Sequence, residues 1–216
     1  MTAIGELEEA LSLERFNRYL EWAGGDRARA VELYTLNAKV SERLYLPLQT
    51  LEVALRNRIH AVMTEAYHEK WFQNNDIILI EKQRDQIANA IEDVERQNKP
   101  ITAGRIVAAL TFSFWTSMFS PDYEILWQKE LNKIGKRPDG KGFRRKEFSS
   151  PLTPIRTLRN RIAHHEPIIA WNLPKHYNNM IEITEWLSKP AADWCRVNCS
   201  FLYVYPEERI TLCKNE

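Results

Sequence analysis

The sequence predicts an all-α helical bundle with a small C-terminal extension. Three observations carry that prediction. Apolar residues recur at three- and four-residue spacing through most of the chain. Cap and stop residues bracket those periodic segments. Glycine is scarce, at 7 of 216 residues, with one stretch, 135–142, carrying both glycine and proline. A hydrophobic content of 44% with 11% aromatics excludes a disordered or low-complexity chain. The length suits one domain, or one domain with an appended element, and is long enough to bury a sizeable core.

The elements follow in order. Ser12 reads as an N-cap before Leu13, Phe16, Tyr19 and Leu20, with Gly24-Gly25 as a stop. Asp26 caps the next helix, whose Ala30, Leu33, Leu36, Val40 and Leu44 keep helical spacing. After Pro47 the pattern continues through Leu48, Leu51, Leu55, Ile59 and Met63 to about Tyr67. Residues 83–97 form a helix with Ile87, Ala90, Ile91 and Val94 inward. Thr102 caps an apolar helix running through Val107, Leu110, Phe114 and Met118 to a stop at Ser120-Pro121. Phe112, Trp115 and Phe119 share that spacing and are expected in the core. A short helix over 122–131 precedes the 135–142 loop. Pro154 stands near the first turn of a helix that runs to about His165, before Pro167. Residues 175–187 are helical, and 201–212 alternate enough to suggest a strand or hairpin.

The acidic start lacks a basic stretch followed by an apolar run, and no apolar segment is long enough to span a bilayer. Cys195, Cys199 and Cys213 make an odd set without a C-x-x-C pair, which suits free thiols in a reducing compartment. A soluble cytoplasmic protein without membrane contact is expected. No dinucleotide fingerprint, Walker A, H-E-x-x-H, G-x-S-x-G or EF-hand pattern occurs, so no cofactor or metal is expected.

What remains is the run from Leu158 to Pro167, Leu-Arg-Asn-Arg-Ile-Ala-His-His-Glu-Pro. Ile155, Leu158 and Ile162 form its apolar stripe. Asn160 and His164 lie roughly 40° apart on an ideal helix, and Arg159 and His164 roughly 140° apart. The latter two converge only if the helix loosens near Pro167. Imidazole moves protons near neutral pH, and guanidinium presents a fixed fork to phosphate oxygens. The pair therefore suits phosphodiester chemistry. The same residues also complement the dipole at a helix C-terminus, worth about 0.3–1 kcal/mol each. Spacing by itself does not separate the two readings.

Arg159-Asn160-x3-His164 resembles the Arg-x4–6-His signature of the HEPN superfamily. The blocks Ser12–Phe16, Glu32-Leu33-Tyr34 with Asn37, Leu51–Asn57, Leu110–Trp115 and Leu158–Pro167 resemble, in order, those of the Abi-like (abortive infection) family. The likeness covers roughly residues 12–190. It implies a HEPN-like helical domain over 1–190 with an extension over 191–216 packed on it. It also implies a bacterial phage-defence or toxin-type protein with metal-independent ribonuclease activity, RNA as substrate, and a two-fold homodimer that brings two motifs together. A protein or RNA antitoxin would fit such a toxin. Carried onto this chain, Arg159 and His164 become the catalytic pair, Asn160 the positioning residue, and His165 a second candidate within the tolerated spacing. The expected products are a 2′,3′-cyclic phosphate and a 5′-hydroxyl. The alternative is a non-catalytic module that binds RNA or a partner protein.

Leu-Arg-Asn-Arg-Ile occurs twice, at 55–59 and 158–162, which makes Arg56 and Asn57 supporting candidates. The earlier copy continues to His60, one residue short of the signature. A structural role in a long core helix is preferred, and a degenerate half-site is the alternative.

Charge is nearly balanced overall, with Lys+Arg 30 against Asp+Glu 29. Its distribution is not. Residues 129–165 carry eleven Lys/Arg and three Asp/Glu, a local +8 that leaves −7 for the rest. Lys133, Lys136, Arg137, Lys141, Arg144, Arg145 and Lys146, just upstream of the motif, are the expected contacts to RNA phosphates.

Overall fold

The computed structural model describes residues 9–10, 13–206 and 210–213. The described residues are helical throughout their regular structure, with no strand among them. In chain order the α-helices are α1 (Leu13–Trp22), α2 (Arg27–Ala66), α3 (Glu81–Arg96), α4 (Ala103–Ala109) and α5 (Phe112–Ser117). They continue with α6 (Glu124–Glu130), α7 (Arg145–Ala163), α8 (Leu173–Leu187), α9 (Lys189–Asn198) and α10 (Phe201–Val204). None of the described helices is long and apolar enough to cross a membrane.

The axis of the bundle is α2. Asp26 caps it by accepting the Arg29 N–H at 3.1 Å, and its buried stripe runs from Ala30 and Leu33 to Val62 and Met63. Leu44, Leu51, Leu55 and Ile59 are fully enclosed, each burial contributing about 1.5–3 kcal/mol. The chain stays helical through Pro47. A proline there removes the hydrogen bond to the Arg43 carbonyl. The buried Cys199 thiol takes that place, donating to Arg43 O at 3.4 Å. The bond helps explain how one helix of 40 residues survives an internal proline.

Around this axis α8 and α1 make the most extensive contacts, with α9 packed on both α2 and α8 and α10 packed on α2. The aromatic residues expected in the core are there: Phe112, Trp115 and Phe119 are buried, and Phe119 stacks between Trp127 and Phe148.

Three expectations change. The helix predicted from Thr102 to Met118 breaks at Leu110 and resumes as α5, because the Thr111 hydroxyl accepts the Phe114 N–H and starts a new helix. The motif helix begins at Arg145, not near Pro154, and holds both Pro151 and Pro154 internally. None of the described residues of the 201–212 segment lies in a strand. Phe201–Val204 is one helical turn anchored by Phe201 stacked on Tyr177 at 5.2 Å, and the backbone of Cys213 bonds to Trp22 O. Short-range bonds to Ser200 and Phe201 carbonyls satisfy that turn, and no neighbouring strand is present among the described residues to pair with it. Ser12, the expected cap of α1, lies outside the described residues.

Candidate functional site

One face of α2 and the last turn of α7 enclose a cleft of about 860 Å³. From α2 come Tyr45, Gln49, Glu52 and Arg56, which share a face because they are spaced by three or four residues. From α7 come Arg159, Ile162 and Ala163, followed by His165. Leu158 and Ile155 anchor the α7 wall from behind, fully buried.

How α7 ends decides which histidine enters the cleft. His164 keeps near-helical backbone, and its N–H bonds to Asn160 O at 2.9 Å. The last turn therefore does not loosen as the sequence allowed, and Arg159 and His164 remain on different faces. The chain reverses one residue later. His165 has φ of +57°, its N–H bonds to Ile162 O at 3.1 Å, and the Glu166 N–H bonds to Arg161 O at 2.8 Å. That pair of bonds is a Schellman motif, with His165 in the left-handed position that glycine usually fills.

Two other described helices end the same way. In α1 the position is Gly24, at φ +63°, with Gly24 N–H on Glu21 O and Gly25 N–H on Leu20 O. In α3 it is Asn98, at φ +52°, with matching bonds to Glu95 O and Val94 O. Glycine and asparagine are the residues this position favours. A histidine there bears a left-handed backbone at a cost of about 1–2 kcal/mol.

The surroundings hold that turn in place. Asn37 is 5% exposed on α2 and accepts the N–H groups of Ile168 at 2.7 Å and Ile169 at 3.3 Å. Its amide nitrogen donates to Glu166 O at 3.4 Å. Arg161 donates to Pro167 O at 3.1 Å, pairs with Glu166 at 3.5 Å and lies over the Trp171 ring at 5.2 Å. One buried amide and one guanidinium thus tie the segment after the helix to the core.

The cleft's charges lie on both walls. Glu52 Oε2 stands 3.8 Å from Arg159 Nε, with the two side chains 22% and 40% exposed. Burial pushes the Glu52 carboxyl above its ordinary value, while Arg159 and then Arg56 pull the other way. The Arg56 Nε is buried without a hydrogen-bond partner. Among the described residues no group of three His, Cys, Asp or Glu gathers in a metal-binding arrangement.

Of the residues singled out in the motif, the structure brings Arg159 and His165 to the cleft, while Asn160 and His164 are exposed outside it. Arg56 joins them. Asn57 faces a neighbouring groove of about 570 Å³ beside Trp194. His60 turns away, its Nδ1 accepting the Trp71 indole N–H at 3.0 Å, and burial lowers its pKa. The earlier copy therefore supplies an arginine to the cleft but no histidine.

The basic stretch lies elsewhere. Arg144 and Arg145 sit at the start of α7, whose 19 residues put the motif's end roughly 28 Å away at 1.5 Å per residue. The proximity suggested by sequence is thus not proximity in space. Arg144, Arg145 and Lys146 line a separate cleft of about 880 Å³. Arg145 is buried, paired with Glu124 at 2.5 Å and donating to Phe119 O. Arg137 pairs with Glu147 and Asp139 and lies over Trp186 at 5.6 Å. Lys133 pairs with Glu65 and Glu130. Lys141 stands 3.6 Å from Asp139. Lys136, Arg144 and Lys146 are the solvent-exposed remainder.

Sequence reading did not assign roles to Asn37, Tyr45 or Glu52. Asn37 had a visible signal, a polar residue inside the apolar row Leu33, Val40, Leu44. Glu52 had a weaker one, standing four residues before Arg56.

No curated protein and no solved structure matches the chain. A family model described as Abi-like protein matches residues 9–172, which span both walls of the cleft, and the chain belongs to the Abi-like family.

Proposed function

We propose that the chain is a metal-independent endoribonuclease of bacterial abortive infection, built on a HEPN-like core and acting as a toxin or effector in the cytoplasm. The carrying observation is the convergence of Arg159 and His165 on one cleft, with His165 in a backbone conformation that disfavours it and Asn37 and Arg161 fixing the segment beyond. Backbone strain held in place by surrounding bonds is the pattern that functional sites display.

In the proposed reaction the RNA 2′-oxygen attacks the adjacent phosphorus, and His165 accepts the hydroxyl proton. The new 2′-O–P bond forms as the P–O5′ bond breaks. The leaving 5′-oxygen takes a proton, leaving a 2′,3′-cyclic phosphate and a 5′-hydroxyl. Arg159 stabilises charge on the phosphorane-like transition state, a contribution of about 10²–10³ for one positioned donor. One imidazole cannot act on both sides of the phosphorus at once. A homodimer presenting two motifs supplies the second, and exposed His164 with Asn160 lies at the same helix end. The Tyr45 ring, 63% exposed at the cleft, offers a face on which a base can stack. Lys136, Arg144 and Lys146 would meet RNA farther along its backbone, and a protein or RNA antitoxin would act by covering either surface.

The test compares wild type with Arg159→Ala, His164→Ala and His165→Ala on end-labelled RNA in EDTA. Cleavage by wild type, lost in Arg159→Ala and His165→Ala, is the expected result. Equal cleavage by all four proteins, or none by wild type, would overturn the catalytic reading. The position of Asn160 and His164 outside the cleft favours one other reading, a module that binds RNA or a partner without cutting. Growth arrest on expression that survives both histidine substitutions would decide for it.

A further inference from the structure

The cleft's two arginines come from the two copies of the same pentapeptide, on different helices; of the two carboxylates that line it, Glu42 pairs with Arg43 at 3.4 Å and Glu52 is set against the arginines. Arg159 on α7 is ion-paired to Glu52 at 3.8 Å, a loose approach for a charge-assisted bond. Arg56 stands one helical turn beyond Glu52 on α2 and also lines the cleft. Its Nε is buried and makes no hydrogen bond, although an unpaired buried donor costs free energy. The two guanidiniums thus outnumber the one carboxylate, Glu52, that is set against them. Neither arginine is saturated by Glu52.

We propose that Arg56 and Arg159 form a two-guanidinium subsite for one RNA phosphate, and that Glu52 holds its place in the empty cleft and is displaced when the phosphate binds. This deepens the ribonuclease reading and rests on its view of the cleft as an RNA-phosphate site. Phosphate suits the site because its oxygens can accept from two guanidinium forks at once, which one carboxylate at 3.8 Å does not. Glu52 then acts by occupancy. It keeps Arg159 oriented between turnovers and competes with substrate for it. Arg56 is the further substrate-binding residue, drawn from the copy of the pentapeptide whose histidine is committed to Trp71.

The experiment separates binding from cleavage by using a short fluorescent RNA with 2′-O-methyl groups, which cannot undergo the transesterification. Affinity is measured against salt for wild type, Glu52→Gln and Arg56→Ala, with thermal melts as a check of folding. Glu52→Gln keeps the side-chain shape and removes the competing charge. Its affinity should rise by up to about fivefold, the scale of one partly exposed ion pair. With cleavable RNA its KM should fall while kcat changes less. Arg56→Ala should bind more weakly, and its slope of log affinity against log salt should be shallower by about 0.7, one phosphate contact on a single strand. If Arg56→Ala melts early, Arg56→Gln gives the same readout with the side-chain length kept.

Equal or weaker binding by Glu52→Gln, or an unchanged salt slope on losing Arg56, would overturn the subsite. Cleavage of ordinary RNA alongside that negative result leaves the ribonuclease reading standing. The expected binding changes without any cleavage support the subsite and overturn the ribonuclease. A wild-type protein that binds no RNA at low salt overturns both.

Discussion

Leu55–Ile59 and Leu158–Ile162 are the same five residues in two helices, and they do different work. Both leucines are fully buried and both leading arginines reach the cleft. Both second arginines donate to backbone carbonyls, Arg58 to Ile134 and Lys133, Arg161 to Pro167. The copies diverge beyond Ile59 and Ile162. In α2 the helix continues, and His60 is held in helical geometry with its ring hydrogen-bonded to Trp71. In α7 the helix stops, and the left-handed turn at His165 places that residue in the cleft. Identical side chains thus acquire different chemistry from the backbone after them. A histidine inside a helix serves packing; one just past its end becomes available.

The largest effects expected are on catalysis. Arg159→Ala and His165→Ala should each lower RNA cleavage by about 10²–10³-fold, whereas His60→Ala should leave the cleavage rate of the folded protein nearly unchanged. A loss with His60→Ala equal to that with His165→Ala would erase the distinction between the copies.

Next comes the clamp that fixes the later copy's exit. Asn37→Ala leaves the buried N–H groups of Ile168 and Ile169 without their acceptor. A destabilisation of about 2–4 kcal/mol is expected by urea unfolding, with activity falling even where the protein stays folded. A variant as stable and active as wild type would mean that the turn holds itself.

A sharper contrast sets stability against function at the helix ends. His165→Gly relieves the left-handed residue and should raise stability by up to about 1 kcal/mol while abolishing cleavage. Gly24→Ala does the reverse in α1, where φ is +63° and a Cβ would stand 3.2 Å from Cys213 Sγ, and should cost about 1 kcal/mol. Destabilisation by His165→Gly would show that the imidazole itself supports the fold.

The smallest effect is a pH dependence. Because burial raises the folded-state pKa of Glu52, that group's contribution to stability is full below the ordinary carboxylate pKa and is lost as pH rises through the raised value. Glu52→Gln, neutral throughout, should therefore gain in melting temperature relative to wild type across that interval and then level off. A pH-independent difference would mean that the two arginines fully offset the burial of Glu52.

Much of this is legible in the order of the residues alone. The apolar stripes, the Asp26 cap and the Gly24-Gly25 stop come from short-range rules, and the helices they mark form where expected. The motif's residue types are equally readable. Its geometry is not. Helical spacing favours Asn160 with His164, but the cleft takes Arg159 with His165, because the chain reverses at His165 and bonds from Asn37, 131 residues away from Ile168, hold the segment beyond. The basic stretch shows the same limit. Its local charge is a property of the sequence, yet Arg145 is buried against Phe119 and Glu124, and the helix carries the stretch far from the motif.

By itself, then, the sequence determined an all-α protein, its main apolar faces and two copies of one arginine-bearing pentapeptide, since helical period and capping are settled within a few residues. Only the tertiary structure decided that Pro47 does not break α2, that Arg56 and Arg159 share a cleft, and that His165 rather than His164 joins them. Those outcomes turn on contacts between distant segments: a Cys199 thiol on an orphaned carbonyl, an Asn37 amide on two backbone N–H groups, and Glu52 set against Arg159 across two helices.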